Sequence, residues 1–159
     1  MCSRLLHKLI MNKKVKPLKL FPHEIFEKVQ GVRAMSDRIA ILKENESFTL
    51  KTILQVNFND WIEFDLPEGD APYKKDKNPP EFSAGRIDKL IKELKHLVKQ
   101  SKLPRARKEI KFIQMLEAMH HKDADIIIAI KDKKLNKLYS ALTPALVSRA
   151  FPTLIQEKE

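Results

Sequence analysis

Four carboxylates are concentrated near the middle of the chain, at Glu63, Asp65, Glu68 and Asp70. Closely spaced carboxylates can bind a divalent metal or act as a general acid and base, and a small nuclease would use them in that way. However, no histidine lies near them in the sequence, and acidic residues around a Pro-Glu-Gly-Asp turn are typical of a solvated loop. A nuclease is therefore an alternative that we keep open, but the sequence favours neither a catalytic nor a metal role for this cluster.

The pair His120-His121 and the single cysteine, Cys2, are the other residues with metal or nucleophile chemistry. Two adjacent histidines cannot share one helix face, because helical neighbours lie three or four residues apart. We expect the pair at a helix end, where a histidine near the C-terminus would suit the helix dipole. One cysteine excludes a disulfide framework, and three glycines are too few for a glycine-rich phosphate loop. We expect a non-enzymatic protein with no cofactor and no bound metal.

Basic residues give the strongest chemical signal. The chain has 31 Lys and Arg against 21 Asp and Glu, a net charge of +10, and residues 86–111 hold ten basic but only three acidic residues. These residues surround a proline-containing turn, which would present side chains and the first amides of the next helix to one surface and so suit a phosphate backbone. We predict nucleic-acid contacts from Lys99, Lys102, Arg105, Arg107, Lys108 and Lys111, with a second contact from Lys131, Lys133 and Lys134.

Helices must position these side chains, because apolar residues recur at helical spacing along most of the chain. The clearest stripe, from Ile87 to Val98, predicts one long helix capped by Ser83 and continuing to about residue 102. The isoleucine-rich run at 126–130 could form a strand, but a buried helix fits its neighbours better. We predict helix starts near Glu24, Ser36, Ser83, Pro104, Asp123 and Thr143, with Asn45 ending the second helix. Ser47 caps a further stretch up to Pro67, whose mixed apolar spacing allows a helix, an extended segment, or one followed by the other.

The length of 159 residues suits one domain. Residues 1–20 form a basic arm that we expect to be flexible, and residues 67–82 form a long proline-rich loop. The remaining chain predicts a single compact all-α domain over residues 21–159. No apolar run approaches the roughly 20 residues that a membrane-spanning helix needs.

Two stretches resemble a known family. Residues 25–66, with Ser36-Asp37-Arg38 and Phe64-Asp65-Leu66-Pro67, and the closing run 146–155 are similar to the N-terminal helical DNA-binding domain of phage ATP-dependent DNA ligases. The chain as a whole resembles small proteins of unassigned function from T-even-type tailed bacteriophages, most distinctively in the loop 66–73. The resemblance implies a helical module that grips duplex DNA through backbone and minor-groove contacts. It does not imply ligation, because the nucleotidyltransferase motif Lys-x-Asp-Gly is absent.

The leading hypothesis is a phage DNA-binding protein that binds duplex or nicked DNA largely without sequence specificity, in the cytoplasm of the host cell near its nucleoid. The alternative is a protein-interaction module that binds a host or phage replication, transcription or virion protein. Its natural contacts would be Trp61, Tyr73 and Phe82, since aromatic residues are enriched in the cores of protein interfaces.

Overall fold

The computed structural model describes residues 20–75 and 86–155. Within these ranges the chain folds into eight α-helices and one 3₁₀ helix, which confirms the all-α prediction. The predicted basic arm, up to residue 19, and the end of the proline-rich loop, from residue 76, lie outside the described residues. The elements are α1 (Pro22–Gly31), α2 (Met35–Glu44), α3 (Phe48–Phe58), α4 (Ile87–Leu90), the 3₁₀ helix (Ile91–His96), α5 (Arg105–Ala118), α6 (His121–Lys131), α7 (Leu135–Leu138) and α8 (Pro144–Ala150).

Helix α6 is the centre of the fold. It packs against α1, α3, α5 and α7, while α2 packs against α1 and α8. The isoleucines of α6 are buried on several faces, as a helix surrounded by other helices requires. The prediction that the run 126–130 is a buried helix rather than a strand is therefore confirmed. None of the helices in the described ranges has the length and apolar character that crossing a membrane requires.

Two helix starts agree with local capping chemistry. The hydroxyl of Ser47 accepts a hydrogen bond from the amide of Leu50, and the hydroxyl of Thr143 accepts one from Leu146, so each satisfies an amide that the first turn leaves free. Helix α2 was predicted to have Ser36 as its N-cap. Its N-cap is instead Ala34, and the helix begins at Met35. Its predicted end at Asn45 is confirmed, because Asn45 is the C-cap.

The start of α6 differs from the prediction. His120 is the N-cap, and its Nδ1 atom accepts a hydrogen bond from the amide of Lys122. Asp123 was predicted to cap this helix, but it lies in the first turn and faces His23 of α1. The histidine pair therefore lies directly after the end of α5, as expected, and it also forms the N-terminus of α6.

The long helix predicted for the stripe from Ile87 to Val98 is helical only as far as His96, and it ends before the expected residue 102. The helical part runs only through α4 and the 3₁₀ helix, and Ser83 lies outside the described residues. The reason is competition for backbone hydrogen bonds. The amide of Asp65 donates to the carbonyl of Leu97, and the amide of Lys99 donates to the carbonyl of Glu63, so Val98 pairs with Phe64 in a short antiparallel bridge.

Candidate nucleic-acid interface

Five of the predicted basic residues lie around the turn between the 3₁₀ helix and α5. We call this set the junction face and define it as Lys99, Lys102, Arg105, Arg107 and Lys111. Pro104 precedes the first residue of α5, so the helix begins with Arg105 and not with the proline. No side chain of the described residues caps the first amides of α5, and its first turn holds no acidic residue. Helix N-termini of this kind attract anions, because the amides and the helix dipole both present positive charge.

Two cations of the junction face are exposed and form no ion pair within the described parts of the chain. These are Lys102, in the turn itself, and Arg107, in the first turn of α5. Their charges are therefore available to a phosphate without the loss of a protein partner.

The other three cations of the junction face have carboxylate partners. Lys99 lies 3.1 Å from Glu63, and Lys111 lies 2.7 Å from Glu93. Arg105 reaches Glu109 at 3.4 Å and Asp65 at 3.5 Å. Most of these side chains are substantially exposed, and exposed pairs contribute only about 0–1 kcal/mol. A phosphate can therefore replace the carboxylate at little cost.

The hydrogen bond from Lys111 also lowers the pKa of Glu93. The side chain of Glu93 therefore stays ionised and paired in the free protein.

Lys108 does not belong to this surface, although the sequence suggested that it would. Only 1% of the residue is exposed. Its Nζ atom donates to the carbonyl of Val98 at 2.9 Å and lies 3.1 Å from the carboxylate of Asp65. The prediction that Lys108 contacts nucleic acid is therefore corrected: its ammonium group ties α5 to the bridge segment.

The second predicted contact is corrected for two of its three lysines. Lys131 is 8% exposed and donates to the carbonyl of Pro67 at 2.8 Å and to Asp132 at 2.7 Å. Lys133 has a left-handed backbone, with φ of 60°, and its ammonium group donates to the carbonyls of Val56 and Asn59 at the end of α3. Burial lowers the pKa of Lys133. Both lysines stabilise helix ends and the loop, and do not form a binding face.

Lys134 is the most accessible lysine of this second group. Its ammonium group lies 3.5 Å from Glu68, and both side chains reach solvent. The acidic cluster is thus largely neutralised by cations: Glu63 by Lys99, Asp65 by Lys108, and Glu68 by Lys134. Within residues 20–75 and 86–155, no three His, Cys, Asp or Glu side chains are grouped so that they could hold a metal ion.

Comparison with protein families matches residues 25–137 to a family of unknown function (DUF6433). The chain belongs to this family. The matched range runs from α1 to α7 and contains the whole junction face. No curated protein and no solved structure matches the chain.

The aromatic residues predicted for a protein partner are placed differently in this DUF6433 member. Trp61 is 43% exposed and available to a partner. Tyr73 is half-buried, and burial together with the negative charge of Asp125 raises its pKa to about 12. Phe82 lies outside the described residues. Trp61 therefore offers more exposed aromatic surface to a partner than Tyr73 does.

A buried cluster that the sequence analysis missed joins α1 to α6 in this DUF6433 protein. The Nδ1 atom of His23 lies 2.8 Å from Asp123, whose carboxylate also accepts a hydrogen bond from the His23 amide. The His23 ring stacks on His120 with centroids 4.9 Å apart. Because His23 and Asp123 are almost fully buried, the cluster is closed to a substrate and acts as a link between helices. The two residues are 100 positions apart, so no local motif indicated the pairing.

Proposed function

We propose that the protein is a non-enzymatic DNA-binding protein that holds duplex DNA through the junction face, without reading its sequence. The observation that supports this most directly is the exposure of Lys102 and Arg107 beside the uncapped start of α5. Phosphate groups match this arrangement, because a guanidinium, an ammonium and free helix amides can all donate to phosphate oxygens. The resemblance of residues 25–66 and 146–155 to a ligase DNA-binding domain points the same way.

The binding energy would come mainly from neutralising phosphates and releasing their counterions. Each phosphate contact adds about 0.9 to the slope of log affinity against log salt concentration. If four cations of the junction face contact phosphates, the affinity would fall by roughly a hundredfold between about 50 and 200 mM salt. Phosphates are the same in every sequence, so contacts from this face to the DNA backbone would give binding that tolerates any sequence.

The test is the double variant Lys102→Glu/Arg107→Glu, measured by fluorescence anisotropy with a labelled duplex over a salt series. We expect an affinity loss of about tenfold or more and a salt slope that is shallower by about 2. Lys108 is left unchanged, because its reversal would place a second carboxylate against Asp65 and destabilise the fold. A nicked duplex and a single strand, measured in parallel, would show which form of DNA is preferred.

The matched control is Lys28→Glu/Lys43→Glu, which makes the same change in net charge at exposed positions of α1 and α2. The control variant should keep most of the affinity. An equal loss in both variants would mean that binding depends on overall charge and not on the junction face. If the unmodified protein does not bind DNA at low salt, the proposed function is wrong.

A further inference from the structure

A groove with an apolar floor lies between α3 and the 3₁₀ helix, and we call it the α3 groove. Its volume is about 560 Å³, in the range of sites that hold large side chains or ligands. The bridge residues Phe64 and Val98 form part of the floor, together with Ile62. The groove is separate from the junction face: they share no residue.

Phe48, the first residue of α3, stands at this groove with 65% of its surface exposed. Large aromatic residues are usually buried, and an exposed aromatic beside a continuous apolar groove is typical of a protein-interaction site. Phe48 also does not cap or support α3, since Ser47 provides the cap. Nothing in the packing of α3 therefore requires an aromatic side chain at this position.

The charges at the groove indicate what kind of partner it accepts. Lys92 and Lys95 are the charged residues that line it, and both are exposed and without an ion pair in the described parts of the chain. Two free cations at the edge of an apolar groove complement a segment that carries carboxylates beside apolar side chains. The first 20 residues of this chain hold six basic and no acidic residues, so the chain's own N-terminal segment has the wrong charge for it.

The walls of the groove indicate the backbone conformation of the partner. Both long walls are helices, in which most backbone amides and carbonyls are already hydrogen-bonded. An extended peptide lying between them would leave many of its own amides and carbonyls without partners. A helix satisfies these groups internally and presents apolar residues along one face.

We propose that the α3 groove binds an acidic amphipathic helix of a partner protein. The apolar face of that helix lies against Phe48 and the groove floor, and its carboxylates pair with Lys92 and Lys95. This site shares no residue with the junction face, so the proposed partner helix and the proposed DNA contact would use different side chains.

The test uses two labelled peptides and the full chain. One peptide has Leu and Phe at positions i, i+3, i+4 and i+7 of a helix and glutamate elsewhere, and the other has lysine in place of each glutamate. By fluorescence anisotropy, the acidic peptide should bind at least about tenfold more tightly than the basic one. The variant Lys92→Glu/Lys95→Glu should reverse that preference, a change that loss of folding cannot produce.

A second test compares two substitutions of exposed apolar residues. Phe48→Ser changes the groove, and Leu138→Ser, on α7, is the control. Phe48→Ser should abolish peptide binding and leave DNA affinity unchanged, whereas Leu138→Ser should affect neither. The proposal is overturned if the acidic peptide binds no better than the basic one, or if Phe48→Ser has no effect on it. It is also overturned if sedimentation shows a dimer that Phe48→Ser dissociates, because the groove would then be occupied by a second copy of this chain.

Discussion

Three lysine side chains of this protein stabilise the fold through hydrogen bonds to the backbone, which their charge alone would not predict. Lys108, Lys131 and Lys133 each direct the ammonium group at backbone carbonyls, of Val98, of Pro67, and of Val56 and Asn59. A buried ammonium is costly unless it is hydrogen-bonded and paired. These three lysines therefore fix the segment that follows α3 onto α5 and α6.

Replacing Lys108 with methionine should lower the free energy of unfolding by about 2 kcal/mol. The methionine keeps the apolar stem, but the Val98 carbonyl and the Asp65 carboxylate lose their shared donor. Urea denaturation would measure the change. Lys102→Met is the control, because an exposed lysine should change stability by no more than about 0.5 kcal/mol. Equal stability of the two variants would show that the buried ammonium contributes nothing.

The burial of Lys108 was partly readable from the sequence. Lys108 precedes Phe112 by four residues and Met115 by seven, so all three share one face of α5, and that face is the buried one. Lys131 likewise follows the buried Ile127 by four residues. Position on the apolar face was the better guide to these lysines, and their charge was the weaker one. Lys102 precedes α5 and Arg107 lies off its buried face. Both their position and their charge therefore predicted that they are exposed.

At the scale of secondary structure, the link between α1 and α6 depends on one carboxylate. Asp123 lies in the first turn of α6 and accepts hydrogen bonds from both the backbone amide and the ring of His23. Its negative charge therefore interacts favourably with the dipole of α6, and its hydrogen bonds fix the first turn of α1 to α6.

Asp123→Ala should lower the free energy of unfolding by about 3 kcal/mol, because it leaves the buried His23 ring and amide without their acceptor. Thermal and urea unfolding would measure the loss. Asp37→Ala is a close control, since Asp37 is an exposed first-turn aspartate of α2 and shares only the interaction with the helix dipole. Its expected cost is about 0.5 kcal/mol. A similar loss in both variants would assign the effect to the dipole and not to His23.

The helices were predictable where the deciding interaction is local. The caps at Ser47 and Thr143 involve residues three positions apart, and both were confirmed. The 3₁₀ helix was not predictable, because residues 63–65 compete for the amides and carbonyls around Val98 and lie more than 30 positions away. The apolar stripe in that region correctly predicted which side chains are buried, such as Ile87, Ile91 and Leu94. It could not predict which backbone hydrogen bonds form.

At the scale of the whole molecule, two tyrosines contribute to the change of stability in alkali. Tyr73 and Tyr139 both have pKa values raised to about 12 from an ordinary 10.0, chiefly by burial. The folded protein therefore holds these protons more tightly than the unfolded chain does. Stability must then fall as the pH rises from about 10 to about 12. Lys133 acts in the opposite direction, because its lowered pKa makes stability rise with pH as its ordinary value of 10.5 is approached.

We expect the free energy of unfolding to decrease between about pH 10 and pH 12, and Tyr139→Phe to remove part of that decrease. Tyr139 packs against Phe26 of α1, with ring centroids 5.4 Å apart, so phenylalanine keeps this contact and removes only the ionisable hydroxyl. Urea denaturation at a series of pH values would measure both profiles. Profiles of the same slope for the two proteins would exclude Tyr139 as a source of alkaline instability.

The central position of α6 has a consequence for synthesis on the ribosome. The apolar face of α1 is covered by α6, and the buried contact between His23 and Asp123 spans 100 positions of the chain. At about 5–20 residues per second, α1 is translated roughly 5–20 seconds before α6. During that interval α1 can pack against α2, which follows it directly, but not yet against α6. The buried contact between His23 and Asp123 therefore forms only after translation has passed α6.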